Sequence, residues 1–323
     1  MRAIQLQEFG GPEVLQLVEL PTPTPGPGEV LVEVGACGVC RTDLQIFSGD
    51  LPLRRQPVVL GHQVAGRIAG TGERVGVAWL RGADGTCPAC RRGLENLCPN
   101  AEFTGWTADG GYAELVRARR DFVFPLPDGF TDVQAAPLLC AGIIGYRSLR
   151  LAGAEPGSRL GLFGFGSSAH LAIQAALHWG CEVAVFTRSE TERALALRLG
   201  AAWAGGYDDA APWPLDAAVT FAPVGSVVVA ALAALAPGAT VAVNAIHLDG
   251  MPAFDYDLLW RERAIRSVAN FTRADASEFL ALAAEIPIAA QVQEFPLAAA
   301  GEALATLASG GISGSAVLLV DPA

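Results

Sequence analysis

Lysine is missing from this 323-residue sequence: all 22 of its basic Lys and Arg side chains are arginine. No lysine Schiff base and no lysine acid can take part in any chemistry it performs. Long apolar runs are missing too. The longest, around Val227 to Ala236, stops at Pro237. That is well short of the roughly 18 apolar residues that suggest a membrane span, so no membrane association is expected. The opening segment MRAIQLQEFG has no charged stretch followed by an apolar one, the pattern of a secretory leader; a cytoplasmic protein is expected. Positive charge is scarce as well. With 33 acidic against 22 basic residues the formal net charge is −11, which argues against nucleic acid as a partner.

What is present points to a globular protein of about two domains. Hydrophobic residues make up 51% of the chain, enough for a large core. The seven cysteines are an odd number, and without a secretory leader metal binding or catalysis is a better default for them than disulfides. Up to about residue 137 short apolar runs such as Val30-Leu31-Val32-Glu33-Val34 are broken by Gly and Pro, and Pro21 to Gly28 (PTPTPGPG) reads as a stiff extended connector. Near Cys140 the pattern changes: runs such as Arg159 to Phe163 alternate with helical stretches such as Ala169 to Trp179, as in βαβ units on a parallel sheet. It changes back near Asn270, with a helix at about Ala274 to Glu285 and a last strand at Ala316 to Val320. The expected fold is α/β: a mostly β domain from residues 1–137 and 271–323, with a doubly wound parallel-sheet domain, 138–270, inserted in it.

Gly164-Phe165-Gly166-Ser167-Ser168-Ala169 fits G-x-G-x-x-G/A between an apolar strand and a helix. There Gly164 and Gly166 permit the tight turn and, with Ala169, let backbone N–H groups approach a dinucleotide's pyrophosphate. The second strand, Glu182 to Phe186, ends about twenty residues on, where an NAD site often has Asp or Glu on the ribose hydroxyls. This sequence reads Thr187-Arg188-Ser189. With no acid in that triplet and a cation to pair with a 2′-phosphate, NADP is expected to be preferred over NAD.

Two further clusters carry metal chemistry. Cys40 and His62, in Gly38-Val39-Cys40-Arg41-Thr42-Asp43 and Gly61-His62, offer a thiolate and an imidazole, and Cys140 is a candidate third ligand. A zinc with three protein ligands keeps one position open for a substrate. Spacing alone does not establish this set. Taken with the run ending Arg91-Arg92-Gly93-Leu94-Glu95-Asn96-Leu97-Cys98-Pro99-Asn100, the Ala141-Gly142-Ile143-Ile144-Gly145-Tyr146 stretch and the glycine turn, the whole chain resembles the medium-chain dehydrogenase/reductase superfamily, in its zinc-dependent alcohol dehydrogenase branch.

The resemblance implies a GroES-like catalytic domain, a Rossmann cofactor domain and an active site in the cleft between them. It implies Cys40, His62 and Cys140 as ligands of a catalytic zinc, Thr42 as the hydroxyl that relays the alcohol proton, and Asp43 as the carboxylate that orients His62. Hydride would pass between an alcohol and the nicotinamide. A second, structural zinc would sit in the lobe of Asp84, Cys87, Cys90 and Cys98, giving two per chain. The family carries four cysteines there; Asp84 replaces the first. Gln63 replaces the usual Glu behind the catalytic metal, and Gln45 the usual His of the proton relay; neither can titrate. The family further implies a homo-oligomer, dimer or tetramer, joined through a cofactor-domain edge strand at Ala239 to Val243. Trp106 and Ile144 are candidates to touch a small apolar alcohol or aldehyde. Two other readings are a zinc-free quinone or enoyl reductase of the same superfamily, against which the cysteines speak, and a non-catalytic dinucleotide-binding protein, supported only by the two glutamines.

Overall fold

The computed structural model describes residues 1–11, 14–286 and 288–320; the ends of the expected catalytic segments that fall on 12, 13, 287 and 321–323 lie outside the described residues. The chain divides into two compact units, Met1–Cys140 with Asn270–Ala323, and Ala141–Ala269. The first segment of the first unit runs to Cys140. The 3-10 turn Ala136–Leu139 that delivers Cys140 is wholly buried, and Leu139 packs into the first unit against Gly76, where a Cβ would lie 2.3 Å from the leucine's Cδ2.

The first unit is mostly β. Its long strand Glu29–Val39 pairs antiparallel with Val64–Ile68, with Leu115–Arg119 and with Ser315–Leu319. The sheet extends through Arg74–Val77 to Val123–Pro125 on one side and through Ser315–Leu319 to Val292–Pro296 on the other. The long strand thus ties together segments from both ends of the chain. It ends at Val39, and the helix Arg41–Ser48 starts with Cys40 as its N-cap.

The second unit is a six-stranded sheet, in the order Trp203–Gly205, Glu182–Phe186, Arg159–Phe163, Leu215–Thr220, Leu235–Val243, Ala264–Ser267, all parallel. Its central strands read as continuous apolar runs because both faces are covered by helices; Phe163 stacks on Phe186 with ring centroids 4.1 Å apart. The helix Ser167–His178 packs close to Ala141–Ala152 at Gly145, where a Cβ would stand 2.9 Å from the Ser168 carbonyl. The alanine-rich stretch near Ala230 is the helix Gly225–Ala234. The edge expected at Ala239 to Val243 is corrected: that strand pairs on both sides, with Leu215–Thr220 and Ala264–Ser267, because the short strand after residue 263 covers it. Among the described residues no helix is long and apolar enough to cross a membrane.

Gly76→Ala tests the anchoring of the Cys140 turn. Leu139 is fully buried and its branched end would lie within 3.0 Å of the new Cβ, so overpacking should lower the unfolding free energy by about 1–3 kcal/mol. A denaturation midpoint equal to that of the unmodified protein would show that the turn is not held at this contact.

Candidate metal centres and cofactor turn

The catalytic cluster starts with a helix cap. Asp43 is the third residue of the helix Arg41–Ser48, and its Oδ2 accepts the Cys40 N–H at 2.9 Å. This fixes the chain direction where Cys40 leaves the sheet, since the N–H groups of a helix start need acceptors. The same oxygen accepts the Tyr112 hydroxyl at 3.0 Å, and Asp43 Oδ1 lies 3.2 Å from His62 Nδ1. Asp43, His62 and Tyr112 are all fully buried. Tyr112 was not a candidate from sequence.

His62 is held by backbone on both sides. Gly110, Gly111 and Tyr112 donate N–H bonds to the carbonyls of Val59, Gly61 and Leu60 at 2.7, 2.9 and 2.9 Å, and Gly38 donates to the carbonyl of Gln63 at 2.9 Å. Gly61 has φ +91°, and a Cβ there would lie 2.3 Å from the Tyr112 ring, so only glycine suits that position. Gln63 is 3% exposed and fills the space left by Gly38, where a Cβ would fall 2.9 Å from the glutamine's Cδ.

The ligand atoms of Cys40, His62 and Cys140 all lie within 4.8 Å of one another. Thr42 Oγ1 is 3.7 Å from Cys40 Sγ. The Cys140 thiol beside it, followed by His62, holds the Cys40 thiol well below its ordinary range against the effect of burial. The Cys40 sulfur and burial push Cys140 well above. Burial opposes the charged form of His62, but Asp43 and Cys40 outweigh it and raise the imidazole to about 10. Without a metal the three groups therefore share protons, a thiolate at Cys40 facing an imidazolium at His62 and a thiol at Cys140. Both ring nitrogens of His62 are buried and make no well-aligned hydrogen bond among the described residues; Nδ1 faces Asp43 Oδ1 at 3.2 Å, and an unsatisfied polar atom is costly, a cost that metal ligation at Nε2 would relieve. Two sulfurs and a nitrogen suit zinc.

An aromatic wall stands beside this cluster. Trp79 meets His62 edge-on at 4.8 Å and stacks on Phe103 and Trp106 at 5.2 and 5.7 Å. Trp106 Nε1 donates to the Pro52 carbonyl at 2.8 Å. Trp79 was missed in the sequence, where it reads only as an apolar residue ending a strand run. Ile144 belongs to the second unit.

In the lobe, the ligand atoms of Asp84, Cys87, Cys90 and Cys98 also gather within 4.8 Å. The Asp84 Oδ1 accepts the N–H groups of Thr86 and Cys87 at 2.8 and 2.9 Å, and Oδ2 accepts Asn100 Nδ2 at 2.9 Å. These bonds, led by that from Cys87, hold the carboxyl far below its usual range. The Cys90 N–H points at Cys87 Sγ (3.4 Å) and the Asp84 N–H at Cys98 Sγ (3.5 Å); the Cys90 N–H holds the Cys87 thiol below its usual range.

In the second unit the glycine turn has the geometry its sequence requires. Gly164 has φ +91°, with its absent Cβ 3.0 Å from the Ala222 nitrogen. Gly166 is the N-cap of the helix Ser167–His178, without a side-chain cap, and Ala169 is buried in it. At the end of the second strand the structure departs from expectation. Arg188 is exposed, but Thr187 is buried, and its hydroxyl donates to Glu192 Oε2 at 2.5 Å. Ser189 is occupied as the N-cap of the next helix, its Oγ accepting the Glu192 N–H at 3.3 Å. The triplet itself carries no acid, as the sequence reads, but Glu192 brings a carboxylate back to it from the helix. The signal for it was Ser189-x-x-Glu192, a capping-box pattern.

A parallel dinucleotide-type domain joined to a β domain bearing two clustered ligand sets defines a class of two-domain oxidoreductase folds. The chain belongs to the medium-chain dehydrogenase/reductase superfamily. Residues 26–128 match the alcohol dehydrogenase GroES-like domain and 169–285 the zinc-binding dehydrogenase domain. It is 50% identical to a protein named probable alcohol dehydrogenase AdhA from Mycobacterium tuberculosis, over 95% of this chain and 93% of that protein. An alcohol dehydrogenase from Geobacillus stearothermophilus is 33% identical over 99% of this chain and 100% of its own. Among solved structures, acetophenone reductase from Geotrichum candidum in complex with NAD superposes with a TM-score of 0.88 at 27% identity, covering 99% of this chain and 97% of that one.

Tyr112→Phe removes one donor from the buried Asp43. A hydrogen bond to a charged group contributes about 1.5–3 kcal/mol, and a loss of that size should appear as a lower denaturant midpoint at an unchanged slope. An unaltered midpoint would mean that Tyr112 only fills space.

Proposed function

We propose that the chain is a zinc-dependent alcohol dehydrogenase passing a hydride between a small primary or secondary alcohol, or the corresponding aldehyde or ketone, and a nicotinamide dinucleotide, NADP(H) before NAD(H). Its alcohol dehydrogenase relatives support oxidoreduction of an alcohol or aldehyde. The observation that carries the zinc reading is the convergence of Cys40, His62 and Cys140 around a buried His62 Nε2 with no protein partner among the described residues.

When bound, zinc supplies Lewis-acid polarisation of the substrate oxygen, and the nicotinamide supplies a carrier for the hydride. The chain's residues do the rest. Cys40, His62 and Cys140 would hold the metal. Asp43 keeps the His62 Nδ1 side engaged, so that Nε2 faces the ligand position. Thr42 Oγ1, beside Cys40, would relay the substrate hydroxyl's proton, accepting it while passing its own hydroxyl proton on toward solvent, and the relay would run backwards in the reverse direction. Gln63 behind the cluster adds no charge, so the ligand set is nearer neutral than with a Glu at that place. Trp79 and Trp106 give an apolar wall that favours aliphatic or aromatic alcohols over polyols and excludes water. The turn Gly164, Gly166 and Ala169 receives the pyrophosphate, and exposed Arg188 supplies charge to a 2′-phosphate, with Thr187 and Ser189 shaping its loop. Asp84, Cys87, Cys90 and Cys98 hold a second, structural zinc. The reading also includes a cytoplasmic homo-oligomer, dimer or tetramer.

Thr42→Val tests the mechanism and separates it from the non-catalytic and zinc-free readings. Turnover, followed by cofactor absorbance with an alcohol panel, should fall roughly 10²–10⁴-fold, the usual contribution of a positioned proton acceptor. Elemental analysis should still find two zinc ions per chain in both proteins. Absence of zinc from the unmodified protein, or full activity in the variant, would overturn it.

A further inference from the structure

The second strand of the parallel sheet, Glu182–Phe186, runs into Thr187 and then into the helix Glu190–Leu199, capped by Ser189. In a capping box the third helical residue returns its carboxylate to the cap N–H. Here the arrangement differs. The Ser189 N–H points to Thr187 Oγ1 at 3.4 Å, and the Glu192 carboxylate takes the Thr187 hydroxyl. The carboxylate is thereby drawn back past the cap to the end of the strand. Doubly wound folds bring the adenosine ribose of a dinucleotide to that end, and a carboxylate there bonds the ribose hydroxyls.

The surroundings fix it in place. Arg193 Nε donates to the Thr187 carbonyl at 2.8 Å and its Nη2 to the Arg188 carbonyl at 3.4 Å, so this arginine is engaged with the loop backbone. Burial holds the Glu192 carboxyl above its usual range, opposed by the Thr187 hydroxyl and by the charge of Arg188. Burial raises the half-buried Tyr207 hydroxyl, opposed by the charge of Arg188 and reinforced by that of Glu192. One exposed cation, Arg188, and one half-buried anion, Glu192, therefore meet at a single strand end.

We propose that Glu192 is a specificity-determining residue for the dinucleotide: its carboxylate accepts from a ribose 2′-hydroxyl and repels a 2′-phosphate, and so limits the preference for the phosphorylated cofactor that Arg188 supplies. This rests on the reading of the chain as a nicotinamide-dinucleotide enzyme. Thr187 is not a phosphate donor in this arrangement, because its hydroxyl is committed to Glu192.

The test is the dissociation constants of NADP+ and NAD+ for the zinc-loaded protein, read by quenching of tryptophan fluorescence and so independent of turnover. Glu192→Gln keeps an acceptor for Thr187 and removes only the charge. The ratio of NADP+ to NAD+ affinity should rise roughly fivefold or more, the effect of one unit charge about 4 Å away in a water-like dielectric. Glu192→Ala should raise it too, which keeps the test available if the glutamine variant folds poorly. Arg188→Ala separates the two claims: it should lower the ratio. A ratio that falls in Arg188→Ala but is unchanged in both Glu192 variants overturns the role of Glu192 and leaves the NADP reading standing. A ratio that rises in the Glu192 variants while the unmodified protein binds NAD+ more tightly supports Glu192 and rejects the NADP preference. Absence of binding of either dinucleotide overturns both.

Discussion

A single buried carboxylate organises the catalytic half of this protein. Asp43 accepts the Cys40 N–H and the Tyr112 hydroxyl and stands 3.2 Å from the His62 ring. Removing a carboxylate from water is costly unless its oxygens are satisfied, so these partners have to be in place. They come from a helix start, a glycine-rich loop and the segment after a short strand. The sheet that brings those segments together is therefore constrained by the same requirement that positions Cys40 and His62.

Around that anchor, glycine and leucine contacts set distance. Gly61 lets the chain pass against Tyr112, Gly38 leaves room for Gln63, and Gly76 receives Leu139 just before Cys140. Each controls where a sulfur or an imidazole nitrogen lies, and a metal site tolerates only a few tenths of an ångström of error. The lobe uses another device: Asp84 is held by three donors, and two of the gathered sulfurs receive backbone N–H groups.

Much of the fold was legible in the sequence, because periodicity is local. The β-rich first third, the βαβ alternation after Cys140 and the glycine turn all declare themselves within windows of a few residues. The grouping of Cys40, His62 and Cys140 was legible only through resemblance, since these positions carry no spacing rule of their own. Tyr112 and Trp79 were not legible. Tyr112 reaches Asp43 across 69 residues of sequence, and nothing near either residue announces the pairing. The edge strand was misplaced because an apolar run does not say how many neighbours it has. Glu192 was within reach: its place three residues after Ser189 was visible, but the cap pattern points to Ser189 and not to Thr187. Only the three-dimensional turn shows which group the carboxylate takes.

The claim that Asp43 pre-forms the metal site is tested most directly by zinc affinity. A competitive chelator titration would compare the unmodified protein with Asp43→Asn, following release of the two zinc ions separately. Loss of a carboxylate behind a ligating histidine should weaken one zinc roughly 10–100-fold and leave the zinc of the Asp84 lobe unaffected. Equal affinity at both sites in the two proteins would contradict the account, because the ligands would then hold the metal without the carboxylate that the surrounding structure is built to satisfy.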